Sequence, residues 1–372
     1  MLQRNLLKLA GVLIVVLIVL YLRSDNSLSV QAGVSGSRNG MNRAARRSKV
    51  CEKHLLASNE NVIRGIALQV NYTADGIEDY LRAVDEIANL GANTIGLSTA
   101  GYQENAGSAS INLDLRKCPT PEQFAQLIRK AHSRGMKVIL MPVILLSNPR
   151  GSEWRGVIQP PDWDEWFSSY LGFIKYFAKI GLDNDAYGLV VGAELISTET
   201  FRQRWIAVIK EVRRIFHGKL LYSANWDHYR QVSFWDKLDL IGMTTYHKLA
   251  DRENPPLETL IKNWKPIKKQ ILKWQKTVHK PILFTEVGWC SQPGASIEAW
   301  NYYRHLSPSA IGLEEQKKCY IAFVRTWRNV PEIAGAIWWE WTTGPGGAND
   351  YGYTPKGKPA LEILRKWLNG RY

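Results

Sequence analysis

The amino-acid sequence predicts one α/β domain, a (β/α)8 TIM barrel, preceded by an N-terminal signal or anchor segment. Eight short apolar, β-branched runs recur between residues 62 and 342. Between them lie longer stretches in which apolar residues return every three and four positions and which end in glycine, the pattern of amphipathic helices with a stop. Strand, helix, strand order makes neighbouring strands parallel and their crossovers right-handed. Residues 62–372 slightly exceed the ~250 residues of a closed ring of this kind. A doubly wound open sheet is the competing architecture, but it calls for a switch point and a glycine fingerprint, and the sequence has neither.

The first strand is VIRGIALQVNY (62–72), and GIEDYLRAVDEIANLG supplies the helix after it. The second is ANTIGLST (92–99), followed by TPEQFAQLIRKAHSRG. Pro119 and Pro121 mark the start of that helix, where a missing N–H does no harm, and Gly135 marks its end. The remaining strands are MKVILMPVI (136–144), YGLVVGAEL (187–195), KLLYSANW (219–226), LDLIGMTTY (238–246), PILFTEVGW (281–289) and AGAIWWEWT (334–342), with a helix expected between each and the next. The two longest loops, LSNPRGSEWRGVIQPPDW and TTGPGGANDYGYTPKGK, follow the third and eighth strands. Both therefore fall on the C-terminal rim, which carries the chemistry in this fold.

Ahead of the barrel, Arg4 and Lys8 precede an apolar run from Leu9 to Leu22. It is shorter than the ~20 residues of a full membrane span and matches a signal-peptide core. Residues 1–23 read as a signal peptide or N-terminal membrane anchor, and residues 24–61, rich in Ser, Gly, Asn and Arg, as a flexible tether. The sequence VQA offers cleavage after Ala32, which gives a secreted protein; the preferred reading is an uncleaved anchor with the barrel on the extracytoplasmic side.

The chain carries 48 Lys+Arg against 34 Asp+Glu, a net +14. Half of that excess sits in the first 50 residues, and the barrel's basic residues are scattered without a dense block, so a nucleic-acid partner is not expected. Cys51, Cys118, Cys290 and Cys319 lie far apart without metal-ligand spacing. No metal site and no cofactor are expected, while an oxidising compartment allows disulfides whose pairing spacing does not reveal.

Two glutamates stand at strand ends: Glu194 closes the fourth strand and Glu286 the seventh, in LFTEVGW. In a barrel both project from one rim. Two carboxyls facing a shared cleft suit glycosidic bond cleavage, one protonating the leaving oxygen while the other attacks the anomeric carbon. Asn71, Tyr72 and Gln69 end the first strand at the same rim and are candidates for hydroxyl binding. Asn71-Tyr72-Thr73 also spells a glycosylation sequon, but a barrel mouth is a poor acceptor and the match reads as chance.

Around these residues the sequence resembles a known group. Glu194 in VVGAEL and Glu286 in LFTEVGW resemble the acid/base and nucleophile positions of clan A retaining glycoside hydrolases. Together with GIALQVNY and WRGVIQP, they resemble glycoside hydrolase family 113, known for β-1,4-mannanase activity, over residues 62 to 365. The resemblance implies that Glu194 is the general acid/base and Glu286 the nucleophile, and that Tyr246 in MTTYH donates a hydrogen bond to Glu286. Most clan A families carry Asn directly before the acid/base. Here Ala193 stands instead, a departure shared with family 113, and Asn225 at the end of the fifth strand is the candidate replacement for its sugar contact. The chemistry requires Glu194 to be held protonated near neutrality and Glu286 to stay ionised.

The 15 tryptophans supply candidate binding surface, since sugar rings stack their C–H faces on flat side chains. Trp154, Trp226, Trp289, Trp339 and Trp341 lie on or just after strand ends. Strict alternation along the eighth strand puts Trp339 and Trp341 on one face, taken as the lumen, and Trp338 with Glu340 on the other, Glu340 being a structural acid. Arg155 is a candidate cleft wall with Trp154, and His247 a rim residue. The expected partner is a polysaccharide or oligosaccharide. The alternatives are a non-catalytic carbohydrate-binding or cell-envelope barrel, and a retaining glycosidase for another β-glycan.

Overall fold

The computed structural model describes residues 62–372. The signal or anchor segment, the tether and Cys51 lie outside the described residues. Strands β1 (Ile63–Gln69), β2 (Thr94–Gln103), β3 (Lys137–Leu146), β4 (Gly188–Ala193), β5 (Lys219–Ala224), β6 (Leu240–Thr244), β7 (Ile282–Val287) and β8 (Ile333–Trp341) pair in sequence order, all parallel, and β8 returns to β1 to close a barrel. The α-helices are α1 (Glu78–Asn89), α2 (Pro121–Ser133), α3 (Trp163–Asp183), α4 (Arg202–Ile215), α5 (Leu257–Val278), α6 (Ala310–Trp327) and α7 (Ala360–Leu368).

Local chemistry explains the helix ends. Thr120 accepts from the Gln123 N–H while the Gln123 side chain accepts from the Thr120 N–H, a capping box with Pro121 in the first turn. At the other end Gly135 adopts φ +72°, and the Gly135 and Met136 N–H groups bond back to His132 and Ala131. That left-handed stop is open to glycine at no steric cost.

One expected helix is missing. Between β5 and β6 there is only a three-residue 3-10 turn, Trp235–Lys237. Aromatic side chains cover the outer face instead: Phe234 stacks on Trp205 of α4 at 4.9 Å and meets Tyr222 of β5 at 5.2 Å, and the Trp235 indole donates to the Tyr229 carbonyl. Three aromatic rings do the covering that a helix stripe does elsewhere.

Around Gly96 the lumen is filled by side chains. A Cβ on Gly96 of β2 would stand 2.6 Å from the Met141 sulfur and 3.2 Å from Ile337, so side chains from β3 and β8 already fill the space. Higher up, the Ser223 and Thr285 hydroxyls of β5 and β7 meet at 2.6 Å across the barrel. Cys118, Cys290 and Cys319 are free thiols, all buried. Among the described residues no helix is long and apolar enough to cross a membrane.

Candidate active site

Glu286 sits in the last turn of pleat of β7, 4% exposed. Its carbonyl accepts from both the N–H and the hydroxyl of Thr245, at 3.0 and 3.1 Å, so its backbone is fixed to the segment after β6. Its carboxyl Oε2 accepts from the Tyr246 hydroxyl at 2.7 Å. The glycine that follows has a steric reason: a Cβ on Gly288 would lie 2.2 Å from the Trp339 carbonyl oxygen, and only glycine lets β7 end this close to β8.

Glu194, 5% exposed, follows β4 in a left-handed conformation, φ +52°. For a residue with a Cβ this costs on the order of 1–3 kcal/mol and persists only where surroundings impose it. Here the Glu194 N–H is bound to Ser223 O at 2.8 Å and the next N–H, of Leu195, to the Tyr222 hydroxyl at 2.9 Å. Tyr222 in turn donates to Glu199 Oε1 at 2.9 Å. Burial pushes the Glu199 carboxyl up to about 8 against that hydrogen bond.

The two carboxyls share one mouth. Arg155 reaches over from the β3–α3 loop, and its Nη2 meets Glu194 Oε2 at 2.5 Å. Thr244, the last residue of β6, donates to Glu194 Oε1 at 3.2 Å. Burial opposes the Arg155 charge, and the carboxyls of Glu194 and then Glu286 more than offset it. Burial first, and the negative Glu194 second, push the Glu286 carboxyl up to about 7; Arg155 and the Tyr246 hydrogen bond pull the other way. Burial thus works against the ionised Glu286 that the chemistry asks for, because sealing the carboxyl from water outweighs both stabilising partners. A third carboxyl, Glu340, is hydrogen-bonded to Gln69 and pushed up to about 7 by burial, and it adds to the negative field on Glu286.

The other expected residues divide sharply. Trp154 is 36% exposed and lies beside Arg155, whose guanidinium carbon is 6.0 Å from the ring centre. Gly156 makes room for that indole, since a Cβ there would meet it at 2.3 Å. Trp226 is half-buried at the end of β5, its N–H held by the Thr244 hydroxyl that binds Glu194. Asn225 precedes it, also half-buried, and makes no side-chain hydrogen bond to Glu194 or Glu286 among the described residues. Asn71 and Tyr72 are exposed beyond β1 and lean on the Tyr80 hydroxyl of α1. His247 lies buried between Trp226 and Trp264, with burial lowering it to about 4, so it is a neutral wall residue.

Two tryptophans are corrected outright. Trp289 is fully buried beneath α6, its ring against Tyr320 and Phe323. It lies two residues past β7, where the chain has already turned outward. Trp341 is also buried and points to α1, donating to Glu86 at 2.7 Å. Trp338 packs outward as well, on Tyr320, Phe323 and Trp367. The alternation assumed along β8 fails because Ile66 pairs with Trp338 but Leu68 pairs with Trp341, an irregularity that gives β8 one extra residue. Trp339 and Glu340 occupy the slipped stretch, both half-buried at the rim.

Sequence reasoning overlooked Thr244, Glu199, Tyr222 and Tyr353. Thr244 precedes Tyr246 by two positions and shares its face, a signal that alternation offered. Tyr353 arrives from the β8–α7 loop to stand 6.2 Å from Tyr246, ring centre to ring centre, and nothing local in the sequence announces it. Among the described residues no cluster of His, Cys, Asp and Glu is arranged to hold a metal ion.

The profile of Glycoside Hydrolase Family 113 matches residues 69–358. A GH113 β-mannanase, AaManA from Alicyclobacillus acidocaldarius in complex with ManMIm, superposes with a TM-score of 0.75 at 26% identity, over 85% of this chain and 100% of the other. A second GH113 β-1,4-mannanase structure gives 0.74 at 25%, over 84% and 100%. A β-glucuronidase from Faecalibacterium prausnitzii shares the fold at 13% identity and a TM-score of 0.56, over 83% of this chain and 49% of its own. No curated protein matches the sequence directly.

Proposed function

Since the chain belongs to Glycoside Hydrolase Family 113 and is a glycoside hydrolase, we propose that it is a retaining β-glycosidase of endo-β-1,4-mannanase type, with Glu286 as nucleophile and Glu194 as general acid/base. The observation that carries this reading is a pair of buried carboxyls in one mouth, each with its own dedicated partner: Arg155 on Glu194, Tyr246 on Glu286.

A Glu286 oxygen attacks the anomeric carbon. The glycosidic C–O bond breaks, its electrons pass to the leaving oxygen, and that oxygen takes the proton from Glu194. Arg155 then offsets the charge Glu194 has acquired. In the second half, Glu194 removes a proton from water, whose oxygen bonds the anomeric carbon as the ester to Glu286 breaks. Retention asks for carboxyls ~5 to 5.5 Å apart, and Glu194 and Glu286 are near enough for the charge of one to raise the other.

The electrostatics belong to the pair. Two close carboxyls share one proton near neutrality, and the titration is that of the couple. The singly protonated couple is the active form, so kcat/KM is expected to fall on the alkaline side as the last proton leaves near pH 7. Mannan is the favoured substrate because the GH113 neighbours at 25% and 26% identity are named β-mannanases. We also read residues 9–22 as a membrane anchor with the barrel outside the cytoplasm; membrane fractionation with protease accessibility tests it, and a soluble cytoplasmic protein would contradict it.

The test of the catalytic pair uses an aryl β-mannoside with a good leaving group. Glu286→Gln and Glu194→Gln are each expected to abolish hydrolysis of mannan. Azide is expected to restore turnover of the aryl substrate in Glu194→Ala alone, giving a β-mannosyl azide. Full activity in either glutamine variant sinks the assignment.

A further inference from the structure

The β7–α6 loop, residues 288–309, presents aromatic rings to solvent from a backbone held by two buried polar side chains. Tyr302 is 57% and Tyr303 55% exposed. The side chain of Gln292, buried beneath them, donates to the Tyr302 carbonyl at 2.6 Å and accepts from the His305 N–H at 2.9 Å, tying both ends of the segment. The buried Glu315 of α6 holds the start of the loop, accepting from Gly294 N at 3.0 Å and from Ser296 N and Oγ at 2.9 and 2.6 Å. A rigid backbone carrying exposed rings has already met the ordering cost that a ligand would otherwise impose.

The rings are linked to the catalytic mouth through the buried rings of Tyr353 and Tyr246. From Glu286 the path runs to Tyr246 by the 2.7 Å hydrogen bond, then to Tyr353 at 6.2 Å, Tyr302 at 6.5 Å and Tyr303 at 4.8 Å between ring centres. Tyr353 is itself pinned to the loop, its hydroxyl donating to the Ala299 carbonyl at 2.7 Å. The cationic groups nearby are matched in place: Arg304 pairs with Glu298 at 2.7 Å, and His305 lies 3.3 Å from Glu253. An acidic ligand therefore gains little here, whereas neutral rings with apolar C–H faces fit an aromatic surface bordered by satisfied polar groups.

We propose that Tyr302 and Tyr303 form a distal sugar-stacking subsite for an uncharged β-linked glycan chain that extends out of the Glu194/Glu286 mouth. The subsite rests on the glycosidase reading, and it makes the enzyme favour polymers over short substrates, because remote contacts supply binding that a small glycoside lacks.

The experiment compares wild type, Tyr302→Ala/Tyr303→Ala and Tyr302→Phe/Tyr303→Phe on an aryl β-mannoside and on β-1,4-manno-oligosaccharides of increasing length, alongside retardation in gels containing β-mannan. The alanine pair is expected to lose roughly tenfold in kcat/KM on long oligosaccharides, the scale of one or two ring-stacking contacts. It is also expected to lose its retardation while turning over the aryl substrate normally, and the phenylalanine pair should behave as wild type. An equal loss on short and long substrates, or no loss on either, overturns the subsite. So does retained retardation combined with lost self-association or lost binding to lipid vesicles, which would assign the rings to a second copy or a membrane surface. Failure of the function itself looks different: wild type would then cleave neither class, and retardation of wild type against the alanine pair would still decide whether the rings hold glycan.

Discussion

Replacing Tyr246 with phenylalanine removes a single oxygen atom from the site and leaves the ring in its packing. That oxygen donates at 2.7 Å to Glu286 Oε2, and both groups are buried. A hydrogen bond to a charged group in such a place contributes about 1.5–3 kcal/mol. The bond favours the ionised carboxyl, so its loss raises the proton affinity of Glu286 above the value of about 7 that burial and Glu194 already give it. At about 1.4 kcal/mol per tenfold, the same energy translates into a displacement of the alkaline limb by roughly one to two pH units. The nucleophile is correspondingly harder to ionise and the departing charge less well held, so kcat/KM is expected to drop by roughly 10- to 150-fold at neutral pH. The assay is the pH profile of kcat/KM on an aryl β-mannoside for wild type and Tyr246→Phe, with thermal denaturation as a control for folding. A variant with unchanged rate and an unmoved alkaline limb would refute the coupling between this hydroxyl and Glu286.

Three further outcomes are expected. Arg155→Ala leaves the buried Glu194 without its cation and should cost roughly 2–3 kcal/mol of transition-state stabilisation, about 30- to 150-fold in kcat/KM; Arg155→Lys should recover part of it, and a wild-type rate in Arg155→Ala would remove the residue from the mechanism. Trp289→Ala should destabilise by about 3–5 kcal/mol in denaturant unfolding with KM little changed at temperatures where the variant is folded, whereas a large rise in KM without loss of stability would return the side chain to the cleft. The third concerns pH: Glu199 lies at about 8, and Glu286 and Glu340 at about 7, all above the ordinary value of 4.5. Between the ordinary and raised values the folded chain holds more protons than the unfolded chain, so stability should fall as pH rises from about 4.5 to about 8. Glu199→Gln should therefore gain Tm relative to wild type on the alkaline side only, and a wild-type Tm that climbs across this range would contradict the sign.

How much of this was legible in the sequence depends on the range of the forces involved. The barrel was legible because it follows from a repeated local pattern, and LFTEVGW stood out because an acid at the end of an apolar strand conflicts with its surroundings. Tyr246 and Glu286 meet because adjacent parallel strands end at the same level, which order along the chain already implies. The missing helix between β5 and β6 was not legible, since Phe234, Trp235 and Trp205 cover the barrel by packing between distant segments. Trp341 went astray for a more exact reason: one extra residue in β8 against β1 reverses every side chain beyond it. Arg155 was visible as a neighbour of Trp154, but its pairing with Glu194 depends on where a loop lands, 39 positions away. The resting charge of Glu286 lay beyond sequence altogether, because it is set by how completely water is excluded.

Trapping the intermediate tests the central assignment most directly. A 2-deoxy-2-fluoro-β-mannosyl substrate with a good leaving group slows both chemical steps, the second more than the first, and peptide mass spectrometry then locates the sugar. The account expects a single ester on the peptide containing Glu286, formed in wild type and absent from Glu286→Gln. A label on another carboxyl such as Glu340, or turnover that releases the inverted α-anomer with no ester formed, would contradict it.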